Sequence, residues 1–172
     1  FLRPNAGLES PPRRPQWTAP SPRPETNSAD PWKADGVLIS VITVVKDDLP
    51  GLKATAKSLR SQDFADWEWL VKDGGSTDGT AQAIPELQPA PAWRESAADA
   101  GIYDAMNQAL PHAGGEWVLF LNAGDTLSEP TTLSRVAAIL TESPRQWVFG
   151  SVRNIAPDGH STGWRSRSPF NQ

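Results

Sequence analysis

Residues 67–80 read WEWLVKDGGSTDGT, and the reading of this stretch decides the fold. Trp67 to Lys72 reads as a strand. Asp73 to Thr80 is a polar, glycine-rich turn that feeds a short helix starting near Asp78 or Thr80. Upstream, Gly36 to Val45 (GVLISVITVV) is rich in β-branched residues and apolar without strict alternation, the pattern of a strand covered on both faces. Between the two strands, Asp48 can cap a helix with Pro50 in its first turn. Leu49, Leu52, Ala56 and Leu59 then fall on one helical face.

Downstream the alternation continues. A proline-broken stretch, Pro85 to Pro91, leads to a short strand around Trp93, and Ile102, Ala105, Met106, Ala109 and Leu110 have helical spacing. Gly114 and Gly115 end that helix. Trp117 to Leu121 (WVLFL) reads as another buried strand, Leu133, Val136, Ala137 and Leu140 mark a further helix, and Trp147 to Val152 reads as a strand. Alternating elements of this kind predict an α/β class: a doubly wound, mostly parallel sheet with helices on both faces.

The flanks differ. Residues 1–35 carry prolines throughout and no periodicity, so they are expected to be disordered or extended. They hold no apolar run long enough for a signal peptide. The ordered domain is expected over residues 36–156, and residues 157–172 are expected to form an irregular tail without a packed second domain.

Composition removes several functions. A formal net charge of −4 argues against a nucleic-acid partner, which favours a clustered basic face. No stretch approaches the roughly 18 apolar residues of a transmembrane helix. The chain has no cysteine and only two histidines, His112 and His160, so a metal here would be held by oxygen ligands, which suits Mg²⁺ or Mn²⁺. His112 follows a helix end, where imidazole suits the dipole, and His160 lies in a turn-rich loop.

In open α/β sheets, ligands bind outside the carboxyl ends of the strands. The polar clusters fall at those ends: Lys46-Asp47-Asp48, Asp73-Gly74-Gly75-Ser76 and Asn122-Ala123-Gly124-Asp125. Carboxylates gathered on one rim repel one another unless a cation or hydrogen-bond donors join them, and a metal–diphosphate ligand with its base and ribose supplies both. The Walker A pattern is absent, VVKDDLPG is not a dinucleotide fingerprint, and DGGSTDGT fails the calcium-loop spacing at Gly75 and Thr77.

SVITVVKDD (40–48), WEWLVKDGGSTDGT (67–80), GIYDAMNQAL (101–110) and GEWVLFLNAGD (115–125) stand in the order found in family 2 glycosyltransferases of GT-A fold. The chain resembles those that build bacterial surface polysaccharides. The resemblance implies a nucleoside diphosphate sugar donor, a hydroxyl acceptor on a glycan or lipid-linked sugar, and inversion at the anomeric carbon. It implies that Asp73 accepts from a base N–H, that the backbone at Thr43, Val44 and Val45 flanks the ring, and that Asp47 stands beside it. Asp99, Gly101, Asp104 and Asn107 would line the sugar-diphosphate pocket, Asp104 and Asn107 on one helix face. Asn122, Ala123 and Gly124 would occupy the place of the family's DxD-type motif, with Asp125 as metal ligand.

Several positions depart from the family pattern. Lys46 replaces an aromatic residue, Asp47 an asparagine, and Gly74 a second aspartate, while Asp125 is the sole carboxylate of its motif. Members continue into an acceptor-binding half that carries the catalytic base, so the chain is expected to be truncated on its C-terminal side, and no residue is assigned as base. A non-catalytic nucleotide-sugar-binding remnant is the alternative function. A sugar nucleotidyltransferase would need a glycine-rich, basic loop where KDDLPG stands. The donor pool places the protein in the cytoplasm, including its membrane face.

Local chemistry offers simpler readings for some of these residues. Aspartates such as Asp73 and Asp78 favour turns and caps. Asp104 and Asn107 suit the solvated face of an amphipathic helix. Trp67, Trp69, Trp117 and Trp147, lying in strands, are expected in the core.

Overall fold

The computed structural model describes residues 37–142, 148, 150–156 and 158–165. Six strands and four α-helices occur among them: β1 (Ile39–Val45), α1 (Leu49–Arg60), β2 (Trp67–Asp73), α2 (Thr80–Ala83), β3 (Trp93–Ser96), α3 (Ile102–Ala109), β4 (Trp117–Phe120), α4 (Thr132–Glu142), β5 (Val152–Ile155) and β6 (Ser161–Arg165). Short 3₁₀ turns at Ile84–Glu86 and Leu110–His112 extend α2 and α3, each with a proline near its start.

The main sheet is parallel, in the order β3-β2-β1-β4. The chain moves outward from β1 through β2 to β3, then returns across the sheet by α3 to place β4 on the other side of β1. The strand order therefore reverses between β1 and β4, and a crevice opens at their carboxyl ends.

Both faces are covered around β1 and β2. Leu52, Ala56 and Leu59 of α1 and Leu133, Ala137 and Leu140 of α4 belong to one core with Ile39, Val41, Val45, Trp69 and Val71. On the opposite face, Ala105 and Ala109 of α3 pack with Ile42, Val44 and Leu70. Every residue of β1 is buried, as a predominantly apolar, β-branched strand covered on both faces requires, with Ser40 and Thr43 as its two polar members.

The amino ends of the strands are tied by small residues. Ser40 Oγ donates to Glu68 Oε1 at 2.6 Å and accepts from Gly115 N at 2.8 Å, and Gly114 N donates to the same Glu68 oxygen at 2.6 Å. A Cβ on Gly115 would lie 2.6 Å from the backbone nitrogen of Ser40, so glycine is a steric requirement there.

Three expectations need correction. WVLFL is not buried throughout: β4 is an edge strand of the sheet, with Val118 36% and Phe120 46% exposed, because among the described residues no helix covers that face beyond β1. The tail is not irregular at residues 161–165, which form β6 and pair antiparallel with β5. The strand expected from Trp147 to Val152 begins only at Val152. Trp147 and Phe149 lie outside the described residues, as do residues 1–36, including the expected N-terminal segment.

Candidate functional site

The crevice is built from three loops, beginning with the one after β1. Asp48 caps α1, its Oδ1 accepting from Gly51 N at 2.9 Å, while Asp78 Oδ2 accepts from Leu49 N at 3.2 Å. Asp47 adopts φ 50°, a left-handed conformation that aspartate tolerates. Its Oδ1 accepts from Thr77 N at 2.7 Å, which joins the β1 loop to the DGGST turn.

Asp73 closes that turn. Its two oxygens accept from Ser76 N at 3.3 and 3.1 Å, Oδ2 accepts from Ser96 Oγ at 2.5 Å, and Oδ1 accepts a very short bond from Ser76 Oγ. The residue is 0% exposed. Its carboxylate is thus spent on the turn and on β3, with no face toward the crevice. Asp78 does more than turn chemistry alone suggested: just ahead of Gly79, the N-cap of α2, its Oδ1 accepts from Thr80 N at 3.0 Å and Thr80 Oγ1 at 2.5 Å, while Oδ2 reaches Leu49 N. The Thr80 hydroxyl is the main reason its pKa lies below the ordinary aspartate value.

Thr43, Val44 and Val45 form the floor. Thr43 Oγ1 accepts from Trp69 Nε1 at 2.9 Å and donates to the Leu121 carbonyl at 2.8 Å, linking β1 to β2 and to the residue that follows β4. The Val44 carbonyl accepts from Ala123 N at 3.2 Å and the Val45 carbonyl from Gly74 N at 2.9 Å. These strand ends hold the neighbouring loops in place.

The third loop, Asn122-Ala123-Gly124-Asp125, is fastened by a residue that the sequence reading missed. Thr55 of α1 is fully buried. Its Oγ1 contacts the carbonyls of Gly51 (3.2 Å), Asn122 (3.3 Å) and Asp125 (2.8 Å) and accepts from Gly124 N at 3.1 Å. A threonine on the apolar face of an amphipathic helix was the available signal. Gly124 adopts φ +88°, and a Cβ there would lie 3.6 Å from Asp48 Oδ2, so the loop turns back beside the Asp48 carboxylate.

Asp125 stays exposed, yet desolvation by the loop raises its pKa above the ordinary aspartate value, against a backbone hydrogen bond at Asn122. Asn122 Oδ1 is buried with no hydrogen-bond partner among the described residues. No cluster of three acidic or imidazole ligands occurs among those residues. One carboxylate and an orphaned amide oxygen in the same four-residue loop still fit an ion such as Mg²⁺, which commonly takes one or two carboxylates and completes its shell with substrate phosphates and water.

On the β3 side, Asp99 Oδ1 accepts from Gly101 N at 2.9 Å. Asp104 Oδ2 accepts from Ala100 N at 2.9 Å and Gln108 Nε2 at 2.8 Å. Asn107 is exposed on the same helix. A second missed residue fixes this segment. Lys72, fully buried, donates from Nζ to the carbonyls of Asp73 (3.0 Å) and Ala97 (2.7 Å), with Glu95 Oε2 at 3.8 Å. His112 stacks on Trp93 with centroids 4.2 Å apart. Trp93 begins β3 and pairs with Leu70 in the middle of β2, three residues short of the rim at Asp73.

The profile of the family described as Glycosyl transferase family 2 matches residues 40–172. This chain belongs to that family. A glycosyltransferase of PGL/p-HBAD biosynthesis from Mycobacterium bovis is 38% identical over 119 residues, covering 67% of this chain and 46% of the relative. The family 2 chain spans about half the length of the relatives it matches. Among solved structures, S. aureus TarS in complex with UDP-GlcNAc superposes with a TM-score of 0.55 at 29% identity, over 61% of this chain and 31% of that one. The mannosyltransferase PcManGT of Pyrobaculum calidifontis, in complex with GDP-Man and Mn²⁺, gives 0.57 at 26%, over 76% and 40%. The parallel sheet with helices on both faces is thus the GT-A fold.

Proposed function

We propose that this family 2 domain binds a nucleoside diphosphate sugar along the carboxyl rim of the sheet and serves an inverting glycosyltransferase. The acceptor is a hydroxyl of a glycan or lipid-linked sugar, in the assembly of a bacterial polysaccharide or glycolipid. One observation carries the reading. The Asn122–Asp125 loop, at the strand-order reversal, carries a desolvated carboxylate and an amide oxygen without a partner among the described residues, and it turns back beside Asp48 at Gly124. TarS and PcManGT, which share the fold, were solved with UDP-GlcNAc and with GDP-Man and Mn²⁺.

Asp125 and Asn122 would hold a divalent cation, Mn²⁺ or Mg²⁺, with the donor's diphosphate. When bound, that ion supplies Lewis-acid stabilisation of the charge that grows on the leaving nucleoside diphosphate. The chain's own residues orient and position. Thr55 and the Val44 carbonyl hold the loop at the β4 end, the Val45 carbonyl holds the DGGST turn, and Asp104 and Gly101 shape the start of α3, where Asn107 is exposed. Inversion needs a single displacement, with one base taking the acceptor proton. The base is assigned to none of the described residues.

No helix among the described residues is long and apolar enough to cross a membrane. We place the reaction in the cytoplasm, where nucleotide sugars are made, including its membrane face. Calorimetric titration of the folded chain with UDP, GDP and dTDP, each with and without Mn²⁺, tests the proposal. Metal-dependent binding of one of them supports it, and binding of none refutes it. Donor binding without sugar transfer or donor hydrolysis would instead favour the non-catalytic remnant.

A further inference from the structure

Asp73, the aspartate expected to meet the base, has no acceptor left to offer. It is 0% exposed, and both oxygens are engaged by Ser76 and Ser96. A ligand could reach it only by displacing a serine hydroxyl from a fully bonded carboxylate.

A different carboxylate fills the space directly above that turn. An ideal Cβ on Gly74 would lie 2.7 Å from Asp99 Oδ2 and 3.4 Å from Cδ of Lys46. Asp99 Oδ1 is used by Gly101 N, whereas Oδ2 makes no hydrogen bond among the described residues. Asp99 therefore presents one free acceptor oxygen at the carboxyl end of β2, in the volume a side chain at position 74 would take.

Three features keep it there. Lys72 ties the Ala97 carbonyl to the Asp73 carbonyl. Ala97 N donates to the Asp73 carbonyl at 3.0 Å. Gly75 adopts φ +81°, which favours glycine, and turns the chain so that the Ala98 backbone lies in van der Waals range of it. The paired glycines of the DGGST turn thus accommodate the 97–99 segment.

We infer that Asp99 is the carboxylate that reads the nucleotide base, and that Gly74 is the position that admits it. The inference rests on the donor-binding reading above. If the diphosphate lies at the Asn122–Asp125 end, the nucleoside extends across β1 toward β2, two strand spacings or roughly 10 Å away. There it meets Asp99 Oδ2, with the Lys46 stem beside it. An acceptor-only carboxylate selects an edge N–H of the base.

The test compares the wild-type chain with Asp99→Asn and Gly74→Ala, titrated with UDP, GDP, ADP, CDP and dTDP, and separately with inorganic pyrophosphate, all with Mn²⁺. The new Cβ of Gly74→Ala would push the Asp99 carboxylate aside. Both variants should bind the preferred nucleoside diphosphate about tenfold or more weakly, the loss expected for one hydrogen bond to a charged acceptor. Their pyrophosphate affinity should not change. Equal nucleotide affinity in Asp99→Asn and wild type would overturn the inference while leaving donor binding intact. Equal weakening of pyrophosphate would overturn it by showing a general effect on the site. A wild-type chain that binds pyrophosphate but no nucleoside diphosphate would refute the proposed function and this inference together.

Discussion

Asp125 shows how one side chain can be costly to the empty fold and useful to the occupied one. Its folded pKa lies above the ordinary 3.8, chiefly through desolvation. A raised carboxylate pKa means that the folded state takes up the proton first as pH falls. The destabilising contribution is therefore absent below pH 3.8, sets in as pH rises through the window up to the folded pKa, and is complete above it. Asp125→Asn should accordingly melt higher than wild type at neutral pH without cation, and alike at pH values below the window, in thermal scans across pH. Metal-dependent nucleotide binding should be lost in that variant. In the wild type it should weaken as pH falls through the same window, because a protonated carboxyl is a poor ligand. Asp78 titrates in the opposite sense. Its depressed pKa gives stability that is present above 3.8 and lost as pH falls through the folded value.

Among the elements, α1 carries the site as much as the sheet does. Its N-cap Asp48 bonds Gly51 N, and its buried Thr55 fastens the β4 loop one turn further along. Asp48→Ala should lower stability by about 1 kcal/mol, the usual cost of losing an N-cap, as read from urea denaturation midpoints. At the other end of the strands, Gly115→Ala would press a Cβ against the backbone of Ser40 at 2.6 Å. Backbone cannot swing aside as a side chain can, so a loss of about 1–3 kcal/mol or more is expected, with the Gly114–Glu68 and Gly115–Ser40 bonds broken. Amide exchange at residues 114 and 115 would report it.

For the whole molecule, the parallel sheet is the frame on which three loops converge, so its stability and the crevice are coupled. Leu52 is fully buried in the core shared by α1, α4 and the sheet. Leu52→Ala should cost about 2–5 kcal/mol, the range for a buried leucine whose cavity only partly collapses. Nucleotide affinity extrapolated to the remaining folded fraction should change little, since no part of Leu52 reaches the rim. Chemical denaturation followed by tryptophan fluorescence, with Trp69 in the core, measures the first quantity and calorimetry the second.

Periodicity alone was enough for much of this. The covered strand at Ile39–Val45, the amphipathic faces of α1, α3 and α4, and the convergence of polar turns on one rim all follow from apolar spacing and chain order. A helix or strand must turn its apolar side inward, and parallel strands put their carboxyl ends together. The order of motifs along the chain resembled family 2, and the family match agrees with it. The sequence could not say which polar side chains spend their bonding capacity within the protein. Asp73 and Asp99 look alike as turn aspartates, yet one is saturated by serines and buried while the other holds an oxygen free above Gly74. Thr55 and Lys72 carry no motif, and their roles arise from carbonyls 67 to 70 and 25 residues away. The exposure of β4 and the pairing of β5 with β6 were likewise hidden. Spacing records which way a residue points. Only the tertiary structure decides what it meets there.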